Sequence, residues 1–431
     1  MSADLARTRF EARAADWLGV EEARARILRL AAPLGEERVA LLDSVGRALA
    51  EQIVATATLP PWDNSAMDGY AVRGADIEHA GSSESVVLRV VGFVRAGGAP
   101  GPTVGRGEAV RIMTGAPLPP GADTVVRVED TDAEATQGRV SVLRGRDRGR
   151  NVRPGGRDMR PGDRLLEVGD TIAPGTVALL AAAGRDTVTV HRAPTVAILA
   201  TGDELRTSDR YDDVRRGAAI PESNGPMLAA MARTAGALAL PLGIAADDPA
   251  DLRDRIGAAA HADVLVTVGG ASMGEADLVK RVLDELGFTL DFWRVRMRPG
   301  SPVSFGWLAR GDRRQPVFGL PGNPASAFVT FEVFVRPFLR ALAGHRRVLR
   351  PVVSCACGES MTAAAGLMHF LRVTLDGSDG RTSVRLAGPQ GSGLVSSLAR
   401  ADGLAIVPED VERLEVGESV AVMLLDPGAA G

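Results

Sequence analysis

The sequence predicts a multidomain α/β and β protein: a parallel-sheet α/β domain, a β-rich insertion domain, a small mixed domain and a C-terminal β-barrel-like domain. Three observations carry this expectation. At 431 residues the chain is too long for one ordinary domain. From Pro194 to Leu342 short apolar runs alternate with helical patterns, as repeated βαβ units require. From Ile53 to about Arg153, and again after Gly344, short β-rich runs are separated by Gly and Pro turns. The corresponding boundaries are 20–54 plus 156–191 for the mixed domain, 55–155 for the β-rich domain, 1–19 plus 192–344 for the α/β domain and 345–431 for the last.

Taken in order, Val20, Ala23, Ile27 and Leu30 recur at helical spacing, and Val39–Leu42 reads as a strand before a helix over Asp43–Ala50 capped by Asp43 or Ser44. Val86–Val94, Val110–Met113 and Thr124–Val128 are the β runs of the insertion. Thr176–Ala183 follows Pro174-Gly175 as a helix, and Thr187–His191 is a strand. In the α/β region, strands are expected at Val196–Ala200, Ala237–Leu242, Val264–Val268 and Pro316–Leu320. Between them fall helices at Pro226–Thr234, with Asn224 or Ser223 as cap, at Pro249–Ala260, where D-P-A-D supplies a cap and an N1 proline, and onward to Leu286. A long apolar helix, Ala325–Leu342, closes the region, and His369–Leu375, Thr382–Leu386, Leu404–Val407 and Val420–Leu425 are the strands of the C-terminal domain.

Composition excludes several function classes. A net charge of −4 and a pI of 5.9 do not suit a nucleic-acid surface, and no run of apolar residues is long enough to span a bilayer. The N-terminus lacks the uninterrupted apolar core of a signal peptide. Cys355 and Cys357 stand one residue apart, without the partners of a zinc site or the spacing of a structural disulfide, which predicts a reducing cytoplasm. Among 50 Lys and Arg residues only Lys280 is lysine.

The chemistry centres on Ala262–Asp277. Val264–Val268 is almost wholly apolar, as a strand buried on both faces is. Gly269, Gly270 and Gly274 then remove Cβ atoms where a ligand can approach the backbone, and Ser272 can cap the next helix, whose N-terminus favours an anion. Asp277 lies where a carboxylate can hold a cation bridging a phosphate. The plainer alternative is a tight βα turn with a dipole-complementing aspartate. Two further strand-end loops, T-G-D-E at 201–204 and P-G-N-P at 321–324, converge with it at the carboxyl edge of a parallel sheet, where such folds bind ligands. Arg294, Arg296 and Arg298 share one face if the segment is extended, and so point to an anion pocket. Asp247 is a freer carboxylate than the capping Asp248. Nine arginines lie in 139–164, which reads either as a solvated loop or as a phosphate-lined rim. None of the five histidines falls in a metalloprotease or nucleophile pattern.

Five motifs carry a resemblance: D-N-S-A-M-D-G-Y-A-V-R (63–73), R-I-M-T-G-A-P (111–117), T-G-D-E-L (201–205), G-E-A-D (274–277) and G-L-P-G-N-P-A-S-A (319–327). In this order they resemble the molybdopterin molybdotransferases, called MoeA in bacteria and the E domain of gephyrin in animals. The resemblance implies an elongated, cytoplasmic homodimer of four-domain subunits whose α/β domain binds molybdopterin. It implies Mg2+-dependent insertion of molybdate into adenylylated molybdopterin with release of AMP, in a cleft between the α/β domain of one subunit and the β domain of the other. The pathway's molybdopterin adenylyltransferase is then an expected partner. Position by position, it implies functional roles for Asp68, Thr114, Asp158, Glu204, Asp247 and Asp277, with the metal at Asp277, Asp247 and Glu204. It implies a pterin-phosphate cradle at Gly269, Gly270 and Ser272 with Asn224 nearby, pocket-shaping Pro321 and Pro324, and a molybdate pocket at Arg294, Arg298, Arg372 and Ser392. The family usually has lysine where this chain has Arg294, Arg298 and Ser301. A non-catalytic molybdopterin-binding paralogue and a tungstate-using transferase are the alternative readings.

Overall fold

The computed structural model describes residues 17–81, 84–269, 278–377 and 382–425. Two compact units emerge, one of Met1–Glu51, Val168–Val177 and Thr187–Gly431, the other of Gln52–Glu167 and Ala178–Asp186.

The smaller unit is built on a five-stranded sheet in the order Thr124–Arg127, Gly69–Val72, Glu108–Ile112, Val86–Val94, Arg139–Val142. Alternation along Gly69–Val72 sends Tyr70 and Val72 into one apolar cluster and Ala71 into another, so this strand is buried on both faces. It was not visible as a strand in the sequence, because four residues inside a polar turn-rich motif carry no readable period. Part of the arginine run is internal structure. Arg127 grips the fully buried Asp147 through Nε and Nη2 at 2.9 and 2.8 Å, and Arg146 binds buried Asp130 in the same forked manner.

The larger unit holds a six-stranded sheet in the order Leu238–Ala245, Thr195–Thr201, Val264–Val268, Arg313–Leu320, Ser304–Arg310, Phe288–Trp293. The first four strands run parallel, as the βαβ rhythm predicts. The last two, absent from the sequence reading, continue it antiparallel. All five residues of Val264–Val268 are buried, with Val264, Val266 and Val268 in one core and Leu265 in the other, so helices cover both faces. Asp248 caps the helix Pro249–Ala258 by accepting from Ala250 N and Asp251 N, both at 2.9 Å. The expected long helix is Pro324–Thr330 and Arg336–Leu342 joined by one π turn, Phe331–Val335. Pro337 lacks the N–H that a regular helix needs there, which accounts for the widened turn.

Five strands, Met368–Asp376, Ser383–Leu386, Val352–Cys357, Ser419–Leu424 and Gly403–Val407, close into a small barrel around Cys355, Cys357, Leu371, Val373 and Val422. Its strand Met368–Asp376 also pairs with Met297–Arg298, which joins the barrel to the α/β sheet region. One expected helix is absent. Instead of Asp43–Ala50 there is a single 3-10 turn, Leu41–Ser44, after which Ala48 and Leu49 bridge Thr171 and Val190. Burial of Leu49 in an extended segment outweighs the local capping signal at Asp43 and Ser44.

Candidate active site

The carboxyl ends of the parallel strands form one rim. Gly269, directly after Val264–Val268, has φ 90°, and a Cβ there would lie 2.7 Å from both the carbonyl and the hydroxyl oxygen of Thr201. Only glycine permits both the conformation and this approach. On its other side the Gly269 Cα is 3.6 Å from the position a Gly322 Cβ would take, so the loops after three strands meet at this glycine. Asn224 Nδ2 donates to Gly322 O at 2.7 Å, while Asn224 Oδ1 is buried with no protein partner. The helix Asn224–Thr234 is capped by Glu222, whose carboxylate accepts from Gly225 N at 2.6 Å; this frees Asn224 from the capping role expected of it. Asp247 N donates to Asp203 Oδ1 at 3.0 Å, which places the exposed Asp247 and Glu204 carboxylates on the same rim. Gly270, Ser272 and Asp277 lie outside the described residues.

A cavity of about 1180 Å³ opens in the same unit, lined by Arg294, Arg298, Pro321, Arg372 and Ser392 from the expected set. No Asp or Glu is among its described lining residues. Arg372 is fully buried and meets no carboxylate; its Nε donates to Ser397 Oγ at 2.9 Å and its Nη2 to Pro389 O and Gly391 O at 3.1 and 3.2 Å. Arg372 Nη1 has no partner among the described residues. Burial holds the guanidinium below its ordinary pKa, yet the value for arginine is so high that the charge persists. A buried cation with an unused donor, belonging to a cavity with no carboxylate among its described lining residues, has the chemistry that an anion requires. Pro324 starts the helix beside it, and Ala325 N donates to Ser392 O at 2.9 Å, fixing the loop that carries Ser392.

The three arginines 294, 296 and 298 do not share a face. Arg294 takes a positive φ of 74°, which breaks the alternation, and Arg296 turns to Glu409 (3.1 Å) and the Trp17 carbonyl. Only Arg294 and Arg298 line the cavity. At the adjoining Pro299-Gly300, Gly300 has φ 107°, and a Cβ would fall 2.5 Å from Thr330 Cγ2, so glycine is what lets this loop reach the helix.

In the smaller unit, Asp68 Oδ1 accepts from both the backbone N–H and the hydroxyl of Thr114, at 2.7 and 2.9 Å. The Thr114 amide, then its hydroxyl, hold the Asp68 carboxyl below its usual range. Asp158 is exposed, its N–H donating to Leu59 O at 3.0 Å. Asn64 and Ser65, by contrast, are spent on local turns, with Asn64 Nδ2 on Trp62 O and Ser65 Oγ on Met67 O.

Three family models cover most of the chain: "MoeA N-terminal region (domain I and II)" over 18–184, "Probable molybdopterin binding domain" over 197–341 and "MoeA C-terminal region (domain IV)" over 355–425. The chain is 37% identical to molybdopterin molybdenumtransferase 1 of Mycobacterium tuberculosis over 427 residues, covering 94% of this chain and 98% of that protein. The chain belongs to the MoeA family. A molybdopterin molybdenumtransferase of Nostoc is 36% identical over 90% of this chain and 88% of its own length. A MoeA crystal structure from Pyrococcus horikoshii superposes with a TM-score of 0.81 at 27% identity, covering 95% of this chain and all of the other.

MoeA membership makes two features of the site intelligible. Among the described residues no three carboxylate, imidazole or thiol groups gather at one point. Glu204 and Asp247 are nevertheless exposed carboxylates on the strand-end rim, the type of hard oxygen donor of which a magnesium ion takes one or two, completing its shell with phosphate and water. Residues of the MoeA cavity that sequence reading missed are Trp17, Asn323, His369 and Gln390. Gln390 carried a signal, since it lies in the P-Q-G-S run beside Ser392. His369 accepts from Ala364 N at 2.9 Å, and burial and then the Arg298 charge push its pKa down, so it sits in the cavity as a neutral group.

Proposed function

We propose that this MoeA-family chain transfers molybdate to the dithiolene of adenylylated molybdopterin and releases AMP, with Mg2+ as cofactor. The observation that supports it best is the buried Arg372, which has an unpartnered N–H donor among the described residues and lines a cavity together with Arg294, Arg298 and no described carboxylate. Such a pocket stabilises a small dianion by charge and by directed N–H donors. Gly269, Gly270 and Ser272 are assigned to the pterin phosphate, since glycine at 269 lets the chain turn tightly against Thr201 at the strand-end rim. Pro321, which lines the cavity, and Pro324, which opens the helix after it, are assigned to shaping the pocket for the pterin.

Glu204, Asp247 and Asp277 are the residues that would hold Mg2+, which would neutralise charge on the phosphates of the adenylylated pterin. Asp68, Thr114 and Asp158 are assigned to the same cleavage. Asp68 stays ionised and fixed by Thr114, which suits a carboxylate that orients a nucleophilic water or a metal-bound shell. The chain is proposed to work as a cytoplasmic homodimer receiving its substrate from the adenylyltransferase, within the four-domain division drawn from the sequence.

The test supplies purified protein with adenylylated molybdopterin, molybdate and Mg2+. AMP release that requires both molybdate and Mg2+ is the expected result. Retention of the adenylylated pterin without AMP release rejects the transferase reading in favour of a binding paralogue, and turnover with tungstate but not molybdate reassigns the oxyanion. Sedimentation at micromolar concentration checks the dimer.

A further inference from the structure

Arg294 is held differently from the other cavity arginines. Its left-handed φ of 74° is one that non-glycine residues keep only where surrounding contacts over-determine it. Its guanidinium carbon lies over two indole rings, 4.1 Å from the Trp293 centroid and 5.1 Å from that of Trp17. Trp17 is anchored in turn, because Arg296, paired with Glu409, donates to its carbonyl oxygen. Trp17 and Arg294 both line the cavity. A guanidinium engaged through its faces still has in-plane N–H donors to offer, whereas a lysine ammonium has neither a face to stack nor a fixed edge.

We propose that Trp17 and Trp293 are positioning residues for the oxyanion: they hold the Arg294 guanidinium by its faces and so direct its N–H edge to an oxyanion in the cavity. This rests on reading the cavity as the oxyanion site. It gives arginine a specific role at a position where the residue class alone implied only charge. Arg298, exposed and over no ring among the described residues, supplies charge without that fixed direction.

The test is direct binding of molybdate to the full chain by equilibrium dialysis, with intrinsic fluorescence as a second readout, since two of the four tryptophans are involved. Trp293→Leu is expected to weaken binding about fivefold, the loss of a partly desolvated cation–π contact, and Trp293→Phe by less than about twofold. In an Arg294→Ala background, Trp293→Leu should add nothing. Unchanged affinity in Trp293→Leu, or an equal loss in both backgrounds, overturns the proposal. If Trp293→Leu does not fold, Trp17→Leu takes its place with the same expected pattern. Wild-type protein that binds no molybdate overturns the cavity reading and this proposal together. Binding that Arg372→Gln abolishes while the tryptophan variants leave it intact overturns only the clamp.

Discussion

Asn224 Nδ2 donates to the Gly322 carbonyl at 2.7 Å, tying the start of one helix to the loop after the strand Arg313–Leu320. A Cβ on Gly322 would lie 3.6 Å from the Gly269 Cα, so this bond holds the 321–324 loop close to the strand-end glycine. Asn224→Ala is expected to raise KM for adenylylated molybdopterin about tenfold with a smaller change in kcat, because it loosens a binding surface and removes no reacting group. Loss of stability should stay near 1 kcal/mol, the net value of one hydrogen bond. Steady-state kinetics and a urea melt check both.

Arg372→Gln should separate stability from function. The wild-type guanidinium is buried without a counter-charge, so its removal relieves desolvation while forfeiting the bonds to Ser397, Pro389 and Gly391. The two effects oppose, and the melting temperature should move by only a few degrees. Molybdate affinity should fall at least about tenfold, the loss expected on deleting one charge-assisted donor. Dialysis against molybdate and a thermal melt on the same sample read both.

Gly269→Ala places a methyl group 2.7 Å from two oxygens of Thr201 at a φ of 90°. Strain of about 1–3 kcal/mol follows, and the shift needed to relieve it displaces the rim assigned to the phosphate. The expected outcome is a folded but less stable protein that no longer retains the adenylylated pterin. Full retention would remove Gly269 from the cradle.

His345 predicts an acid sensitivity unrelated to the site. It is buried, its Nδ1 lies 2.8 Å from Thr171 Oγ1, and burial, then the charges of Arg340 and Arg336, lower its pKa to about 3. The unfolded chain therefore takes up the proton first, near the ordinary value of about 6.5. Stability is full above that value and falls as pH drops toward 3, by up to about 1.4 kcal/mol per unit. Between pH 6.5 and 5 the wild type should lose about 2 kcal/mol, and His345→Gln should lose far less over the same window. Urea titrations of wild type and variant at the two pH values decide it: buried His369, whose pKa is also lowered, acts in the same direction in both proteins, so the difference between them reports His345.

What the sequence by itself determined was whatever rests on neighbours along the chain. The buried strand Val264–Val268, the Asp248 cap on its proline-led helix, and the glycine turn at Gly269 all appear as read, because burial on both faces, capping and positive φ are local constraints. The ordered motifs carried the family, and through it Arg372, a residue with no local signal. Tertiary structure decided the rest. The strands Phe288–Trp293 and Ser304–Arg310 exist because each has a partner at the sheet edge, and Gly69–Val72 because it is clasped between two strands. An even spacing put Arg294, Arg296 and Arg298 on one face; contacts from Glu409, Trp17 and Trp293 sent them apart. Whether a guanidinium is a structural ion pair, as Arg146 is, or is left without a carboxylate partner among the described residues, as Arg372 is, depends on which carboxylates the fold brings near, and that is set by residues distant in sequence.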